Sequence, residues 1–422
     1  MDKITYQSYI DILKEELIPA MGCTEPIAIA YGAAIAKKAL GILPEKVEIN
    51  VSGNIIKNVK SVVVPHTGNL RGIAAAAAAG IVAGDSDKVL EVISDVTEEQ
   101  IQEIAQYLNK TEFVVNRSET EEVFDIEILV FAQGHMALSH IVGNHTNVVL
   151  IKRDEDVLLK HEYVKTVEKV VDRSFMNVES IVEFAEQVNV SDVKEVLDRQ
   201  IGYNLAIAEE GLRGGYGANI GRILLRSYGN TVYNRAKAWA AAGSDARMNG
   251  CELPVVINSG SGNQGLTASL PVVVYAKELN VSDDMMYRAL VISNLITIHL
   301  KTGVGTLSAY CGAISAGCGA GAGIMFLYGG KYEDIAHVVV NALAINSGVV
   351  CDGAKASCAA KIASAVEGGL MGMQMYMHGS EFAGGDGIVT KGVEETIKNV
   401  GVLARDGMRE TDKEIINLMM KQ

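Results

Sequence analysis

With 422 residues the chain is too long for one small core, so two domains are expected. A hydrophobic content of 49% and a charged content of 21% describe a water-soluble globular protein. The net charge of −14, with no basic run and no aromatic stacking pattern, argues against nucleic-acid binding.

The first residues, Met1-Asp2-Lys3-Ile4, hold no apolar signal core, so a cytoplasmic location is expected. Residues 1–43 read as two helices. Ile10, Leu13 and Leu17 repeat at helical spacing, and Pro19-Ala20-Met21-Gly22 breaks the run. Cys23-Thr24-Glu25-Pro26 then opens an Ala-rich helix ending near Gly41, with Thr24 as a candidate N-cap. Val47, Ile49 and Val51 alternate, as do Ile126, Ile128 and Val130, and 148–151 is a short apolar run. These predict strands. Between them fall an Ala-rich helix over 73–83 and a second helix opened by a Thr97-x-x-Gln100 capping box. From 165 onward helical patterns dominate, interrupted by Gly-rich loops at 211–221, 259–265 and 384–387. The expected fold is α+β: a mostly helical unit from 1–43 plus 165–422, with 44–164 inserted as a smaller α+β unit. Residues 302–330 carry no charge. Their Gly, Ala, Ser and Cys content predicts a buried helix pair in a tight core rather than a membrane span.

Four of the six cysteines repeat one spacing, Cys311 with Cys318 and Cys351 with Cys358. A helix returns to the same face after seven residues, so each pair can present its thiols together. In a reducing compartment such a set suggests zinc or iron–sulfur rather than disulfides. The plainer reading is a set of small buried side chains in an Ala/Gly core. Ligation is favoured for Cys351 and Cys358, and helix packing for Cys318 in Ser-Ala-Gly-Cys-Gly-Ala-Gly. Cys251 reads as ordinary core. Cys23 precedes a helix, where free N–H groups lower a thiol pKa; it is either a reactive thiolate or a buried cysteine at a helix start. The loop Asn258-Ser259-Gly260-Ser261-Gly262-Asn263-Gln264-Gly265 is dense in backbone donors and suits an anion. Its Ser-Gly-Asn-x-Gly core also resembles the ring-facing loop of pyridoxal-phosphate β-eliminating enzymes, with Lys237 upstream as the Schiff-base candidate. Pro65-His66-Thr67-Gly68 follows an apolar run, a common place for a site loop. His135, His140 and His145 read as structural or solvent-facing. Arg247 could hold a substrate carboxylate, but an ion pair with Asp245 is the plainer account.

Several motifs together resemble the L-cysteine desulfidase family, related to the iron–sulfur L-serine dehydratases. They are Met21-Gly22-Cys23-Thr24-Glu25-Pro26, Ala208-Glu209-Glu210-Gly211-Leu212, Ser244-Asp245-Ala246-Arg247-Met248, 258–265, Leu307-Ser308-Ala309-Tyr310-Cys311 and 351–358. The resemblance runs in order along most of the chain. It implies a [4Fe–4S] cluster bound by Cys311, Cys351 and Cys358, and Cys23 as catalytic base. Two departures from the serine dehydratases stand out: no cysteine near the end, Asn417-Leu418-Met419-Met420-Lys421-Gln422, and a narrower gap between the last two ligands.

Three protein thiolates leave one iron of a cubane open to substrate. The expected reaction is β-elimination of L-cysteine to pyruvate, ammonia and hydrogen sulfide. Ser259, Ser261, Gly262 and Asn263 would hold the substrate, with His66 and Thr67 closing the site. L-Serine or threonine dehydration by the same chemistry stays open, as do a pyridoxal-phosphate lyase and a non-catalytic metal or redox sensor. The expected partners are a small amino-acid substrate and further copies of the chain, with neither nucleic acid nor membrane.

Overall fold

The computed structural model describes residues 1–22, 24–120, 122–162, 171–305 and 308–421. The architecture is α+β, as expected. Helix α1 (Lys3–Glu16) leads through a short strand β1 (Pro19–Met21) to α2 (Thr24–Leu40). Next come β2 (Lys46–Val51), α3 (Gly53–Val59), α4 (Gly72–Ala83) and α5 (Glu98–Lys110). Five strands follow: β3 (Glu112–Arg117), β4 (Asp125–Ala132), β5 (His135–Val142), β6 (Val148–Arg153) and β7 (Asp156–Lys160). The remainder is almost wholly helical. It runs α6 (Val178–Gln187), α7 (Lys194–Arg213), α8 (Ile220–Tyr228), α9 (Val232–Met248), β8 (Pro254–Val256), α10 (Gly262–Glu278) and α11 (Asp283–Val304). It ends with α12 (Gly312–Leu327), α13 (Tyr332–Asn346), α14 (Cys358–Met377), α15 (Val393–Val402) and α16 (Arg409–Met420).

The six-stranded sheet has the order β3-β2-β4-β5-β6-β7; β2 and β3 are parallel and every other pair antiparallel. Val47, Ile49 and Val51 sit opposite Val130, Ile128 and Ile126, so one face of this ladder is uniformly apolar. That face is covered by the small side chains of α2 and α4, which cross closely enough that a Cβ on Gly80 would meet the Ala30 carbonyl oxygen at 2.0 Å. The Thr97–Gln100 capping box is formed as predicted. A separate, larger apolar cluster joins α1 to the helices from α6 onward.

The Ala-rich helix α2 lies in the sheet's cluster, which begins at Ile27, although it was expected with the helical unit before residue 44. Alanine and glycine carry too little side chain to declare a partner, and the flat apolar sheet supplies one. The other expected boundary, at 164/165, falls outside the described residues. Strands β1 and β8 pair antiparallel, and β1 carries the chain from α1 in one cluster to α2 in the other.

Helix α12 is the axis of the helical unit, packed by α10, α11, α13 and α14. Its glycines alternate between two neighbours. A Cβ on Gly317 or Gly321 would meet the carbonyl oxygens of Ala365 and Gly369 in α14 at 2.1 and 2.6 Å. One on Gly319 or Gly323 would meet those of Ser293 and Ala289 in α11 at 2.4 and 2.7 Å. The uncharged stretch thus holds a tightly packed core helix, α12, rather than the helix pair that was expected, and Cys318, 1% exposed, is packed inside it. No helix among the described residues is long and apolar enough to cross a membrane.

Candidate active site

A cavity of about 610 Å³ lies where the two clusters meet, within the ~300–1,000 Å³ common for small-molecule sites. The sheet side contributes Glu25, Asn58, Glu122, Phe124 and His145 among others; the helical side contributes Arg247 and the residues after it. Three helices open onto it: the first turns of α10 (Asn263, Gln264), α12 (Gly312, Ala313) and α14 (Cys358, Lys361) all line the wall. None of the three is capped by a side-chain hydrogen bond at its N-cap residue, Ser261, Cys311 or Ser357. Their free N–H groups and dipoles favour negative charge in the cavity.

Cys311, Cys351 and Cys358 border this cavity together. Helices α12 and α13 form a hairpin that returns the chain, and the segments flanking it pair as a bridge between Tyr310 and Val350. The Cys311 N–H donates to the Val349 carbonyl at 3.0 Å and the Cys351 N–H to that of Ala309, so the two cysteines ride adjacent extended segments. Cys358 starts α14, with its Sγ 3.6 Å from the Gly353 carbonyl oxygen. The shared helical face expected for Cys351 and Cys358 does not exist. The chain breaks at Gly353, whose φ of +90° favours glycine, and a Cβ there would meet the Lys57 carbonyl oxygen at 1.8 Å. The loop, rather than helical periodicity, brings the two thiols to one cavity. Cys318 and Cys251 are buried away from it.

Burial, then the neighbouring Cys351, pushes the Cys311 thiol up to about 12. Burial likewise raises Cys358, with Cys351 adding to it. The cations beside the thiols respond in opposite ways. Burial pulls Lys301 down to about 8 against the attraction of Cys351 and Cys311. For Lys361 the lowering effect of burial is outweighed by the Asp352 hydrogen bond and carboxylate, with Cys311 and Cys358 adding to the rise. Thiols so placed keep their protons unless a metal centre supplies positive charge. Among the described residues no three His, Cys, Asp or Glu side chains converge on a single ion. A polynuclear cluster, each iron taking one thiolate, does not need them to converge. All three donors are thiols, the ligand type that iron–sulfur clusters take.

The turn before α10 is rigid. Asn258 and Ser261 exchange backbone hydrogen bonds at 3.1 Å around Ser259 and Gly260, which have φ of 49° and 76°. Two positive φ values are what a type I′ turn demands. Fully buried Asn258 anchors it, donating to Asn294 Oδ1 at 2.9 Å within a buried amide network that includes Gln200. Ser259, Ser261 and Asn263 thus line the cavity, with Gly262 between them as the first residue of α10.

His66 and Thr67 do not border the cavity. His66 Nδ1 lies 2.9 Å from Glu252 Oε1, and the Thr67 hydroxyl donates to the Val64 carbonyl at 2.7 Å. Their loop passes beside Gly22, where a Cβ would meet Pro65 at 3.1 Å. Cys23, the next residue, lies outside the described residues. Lys237 does not border the cavity; it is paired with Glu367 at 2.5 Å and lies over the Tyr233 ring at 4.5 Å. A Schiff-base role there is thus detached from the Ser-Gly-Asn-x-Gly turn.

Two residues read as bland in the sequence line the cavity. The His145 ring packs tilted against Phe124, centroids 4.6 Å apart, and its Nε2 is buried without a hydrogen-bond partner among the described residues. Burial lowers its pKa, opposed by Glu25. His135 and His140 instead face Asp154 and Asp125. Arg247, 8% exposed, makes no ion pair with Asp245. Its Nη1 donates to Asn263 Oδ1 at 3.3 Å. Residues two apart on a helix point to different faces, which was the available signal. Asp245 turns to α8, accepting from the Gly221 N–H at 3.0 Å.

Burial pushes the Asp245 carboxyl up to about 6 from its ordinary 3.8, against the pull of the Gly221 and Ile220 N–H groups. Because the folded pKa exceeds the unfolded one, its stabilising contribution is complete below about pH 4 and is lost as pH rises to about 6. Asp245→Asn keeps an acceptor and removes the charge. It should flatten this part of the pH–stability curve and raise stability at neutral pH by up to about 3 kcal/mol, two pK units at ~1.36 kcal/mol each. Urea midpoints at about pH 4 and 7 check it; equal declines in both proteins would refute it.

Fold and site together define an α+β protein with a thiol-lined, small-molecule cavity between its two cores. Residues 87–417 match the family described as serine dehydratase alpha chain, and the chain belongs to that family. It is 58% identical over 418 residues to a UPF0597 protein of Desulfitobacterium hafniense, covering 99% of this chain and 97% of that one. A UPF0597 protein of Lachnoclostridium phytofermentans is 50% identical, covering 98% and 100%. One of Treponema denticola is 44% identical, covering 100% and 99%.

Proposed function

We propose that this protein is a β-eliminating lyase acting on a small L-amino acid, with a [4Fe–4S] cluster held by Cys311, Cys351 and Cys358. Three thiols bordering one cavity, Cys311 buried and Cys351 and Cys358 partly buried, in a chain of the serine dehydratase alpha chain family, carry the reading. When bound, the cluster would supply a Lewis-acidic iron that polarises the β-substituent. Lys301 and Lys361 lie where they offset the thiolates' charge. Ser259, Ser261, Gly262 and Asn263 would hold the substrate against the open end of α10. Cys23 is proposed as the base that takes the α-proton. Departure of the β-group gives 2-aminoacrylate, and water converts this to pyruvate and ammonia.

The finer reading is L-cysteine with release of hydrogen sulfide. L-Serine with release of water is the alternative, and the family's description speaks for it. Protein purified and reconstituted without oxygen should contain iron and sulfide and form pyruvate from L-cysteine with equimolar sulfide. Air should abolish the activity. Faster pyruvate formation from L-serine would transfer the assignment to dehydration. Full activity without metal, or inactivity on both amino acids at full iron loading, overturns the proposal.

A further inference from the structure

The helical wall of the cavity holds a buried positive charge with no counter-ion among the described residues. Among the described residues the Arg247 guanidinium meets only Asn263 Oδ1 and, at 4.0 Å, the Met248 sulfur. Its Nε has no hydrogen-bond partner among them. It is fixed from behind, since a Cβ on Gly262 would lie 2.3 Å from that Nε. Gln264, 5% exposed, is also unsatisfied: its Oε1 has no partner, and its carboxamide is wedged against Gly312. An uncompensated buried cation and an unsatisfied buried amide are both costly. Both border the cavity, next to the uncapped first turn of α10.

The charges lining the cavity divide by wall. Arg247, Lys301 and Lys361 come from the helical side, whereas Glu25 and Glu122 come from the sheet side. The two lysines sit with the thiols, which leaves Arg247 as the cation of the α10 end.

We propose that Arg247, Asn263, Gln264 and the open N-terminus of α10 form the head-group subsite, binding the free carboxylate of an unmodified α-amino acid whose ammonium lies toward Glu25 and Glu122. The guanidinium gives a charge-assisted, bidentate contact, and the helix N–H groups complete it. The subsite rests on the β-elimination reading for the identity of the bound molecule, and it adds Arg247 and Gln264 as the residues that demand a free carboxylate and reject amides, esters and simple amines.

L-Alanine tests this without turnover, because it has the head group and no leaving group. Calorimetry on anaerobic, iron-loaded protein should show L-alanine binding, with L-alaninamide and propionate at least about 30-fold weaker. Arg247→Gln should weaken L-alanine about 100-fold. Asn263→Asp should do the same by a different route, since the new carboxylate pairs with Arg247 and competes with the ligand; it also covers the case in which Arg247→Gln fails to fold. Iron content should be unchanged in both variants. Alaninamide binding as tightly as alanine, a folded variant binding within about threefold of the parent, no alanine binding by the parent, or iron loss in both variants would each overturn the subsite. None of these outcomes depends on elimination, so failure of the assay above and failure of the subsite are read separately.

Discussion

Serine in place of Cys311, Cys351 or Cys358 should strip the protein of most of its iron, and turnover should fall by more than about 100-fold. Even outer-shell partners of a metal site are worth ~10–100-fold, and a lost ligand exceeds them. A serine hydroxyl titrates far above a thiol and is a poor soft-metal ligand. The folded state should survive all three changes, because each thiol borders a cavity and is not wedged into a helix crossing. Cys318→Ser is the control. Its side chain lies inside α12, where a hydroxyl can bond back to the carbonyl four residues earlier. It should cost stability and leave iron in place. Iron analysis with circular dichroism on the four variants decides the matter. Iron retained at wild-type level in Cys351→Ser, or lost in Cys318→Ser alone, would mean the ligand set is misassigned.

What could be read from the residues alone follows burial. Val47, Ile49 and Val51 alternate because one face of β2 meets the core, and that strand was legible. Edge strands were not: β7 is almost wholly exposed and β3 does not alternate in burial, so neither has an apolar period. The cysteine spacing paired Cys351 with Cys358, and both border the cavity, but not on one helical face, since Gly353 breaks the chain between them. His145 carried no local signal. Its position depends on the hairpin from β5 to β6 delivering it to a cavity whose other wall begins more than 100 residues later. The unpaired charge of Arg247 was hidden by Asp245 two residues away, a neighbour in sequence that points elsewhere.

The site's dependence on a helix crossing distant from the chemistry gives the second large effect, Gly317→Val. Gly317 is six residues into the chain from Cys311, and Ala365 seven from Cys358, so the crossing lies ~9–10 Å below both thiols at 1.5 Å per residue. There α12 and α14 touch backbone to backbone, with 2.1 Å between a Cβ placed on Gly317 and the Ala365 carbonyl oxygen. Two terms oppose each other. Replacing a helical glycine gains some of the ~1 kcal/mol of glycine's propensity deficit, although a β-branched valine recovers less of it than alanine. Against that, overpacking costs ~1–3 kcal/mol for added methylenes, and more where the obstacle is backbone that cannot rotate away. Carbonyl Ala365 belongs to a helix ladder and cannot yield without moving α14, so overpacking wins and a net loss of about 3–4 kcal/mol is expected. Separation of the two helices would also spread Cys311 from Cys358, so iron affinity should fall with stability. Gly319→Val is the matched comparison. It collides with Ser293 of α11, a helix that carries none of the three thiols, and should lose similar stability with a smaller loss of iron. Urea midpoints and iron retention after gel filtration report both quantities. An unchanged midpoint for Gly317→Val would show that the crossing is looser than its geometry says, and equal iron loss in the two variants would show that the α12–α14 spacing does not set the thiols' separation.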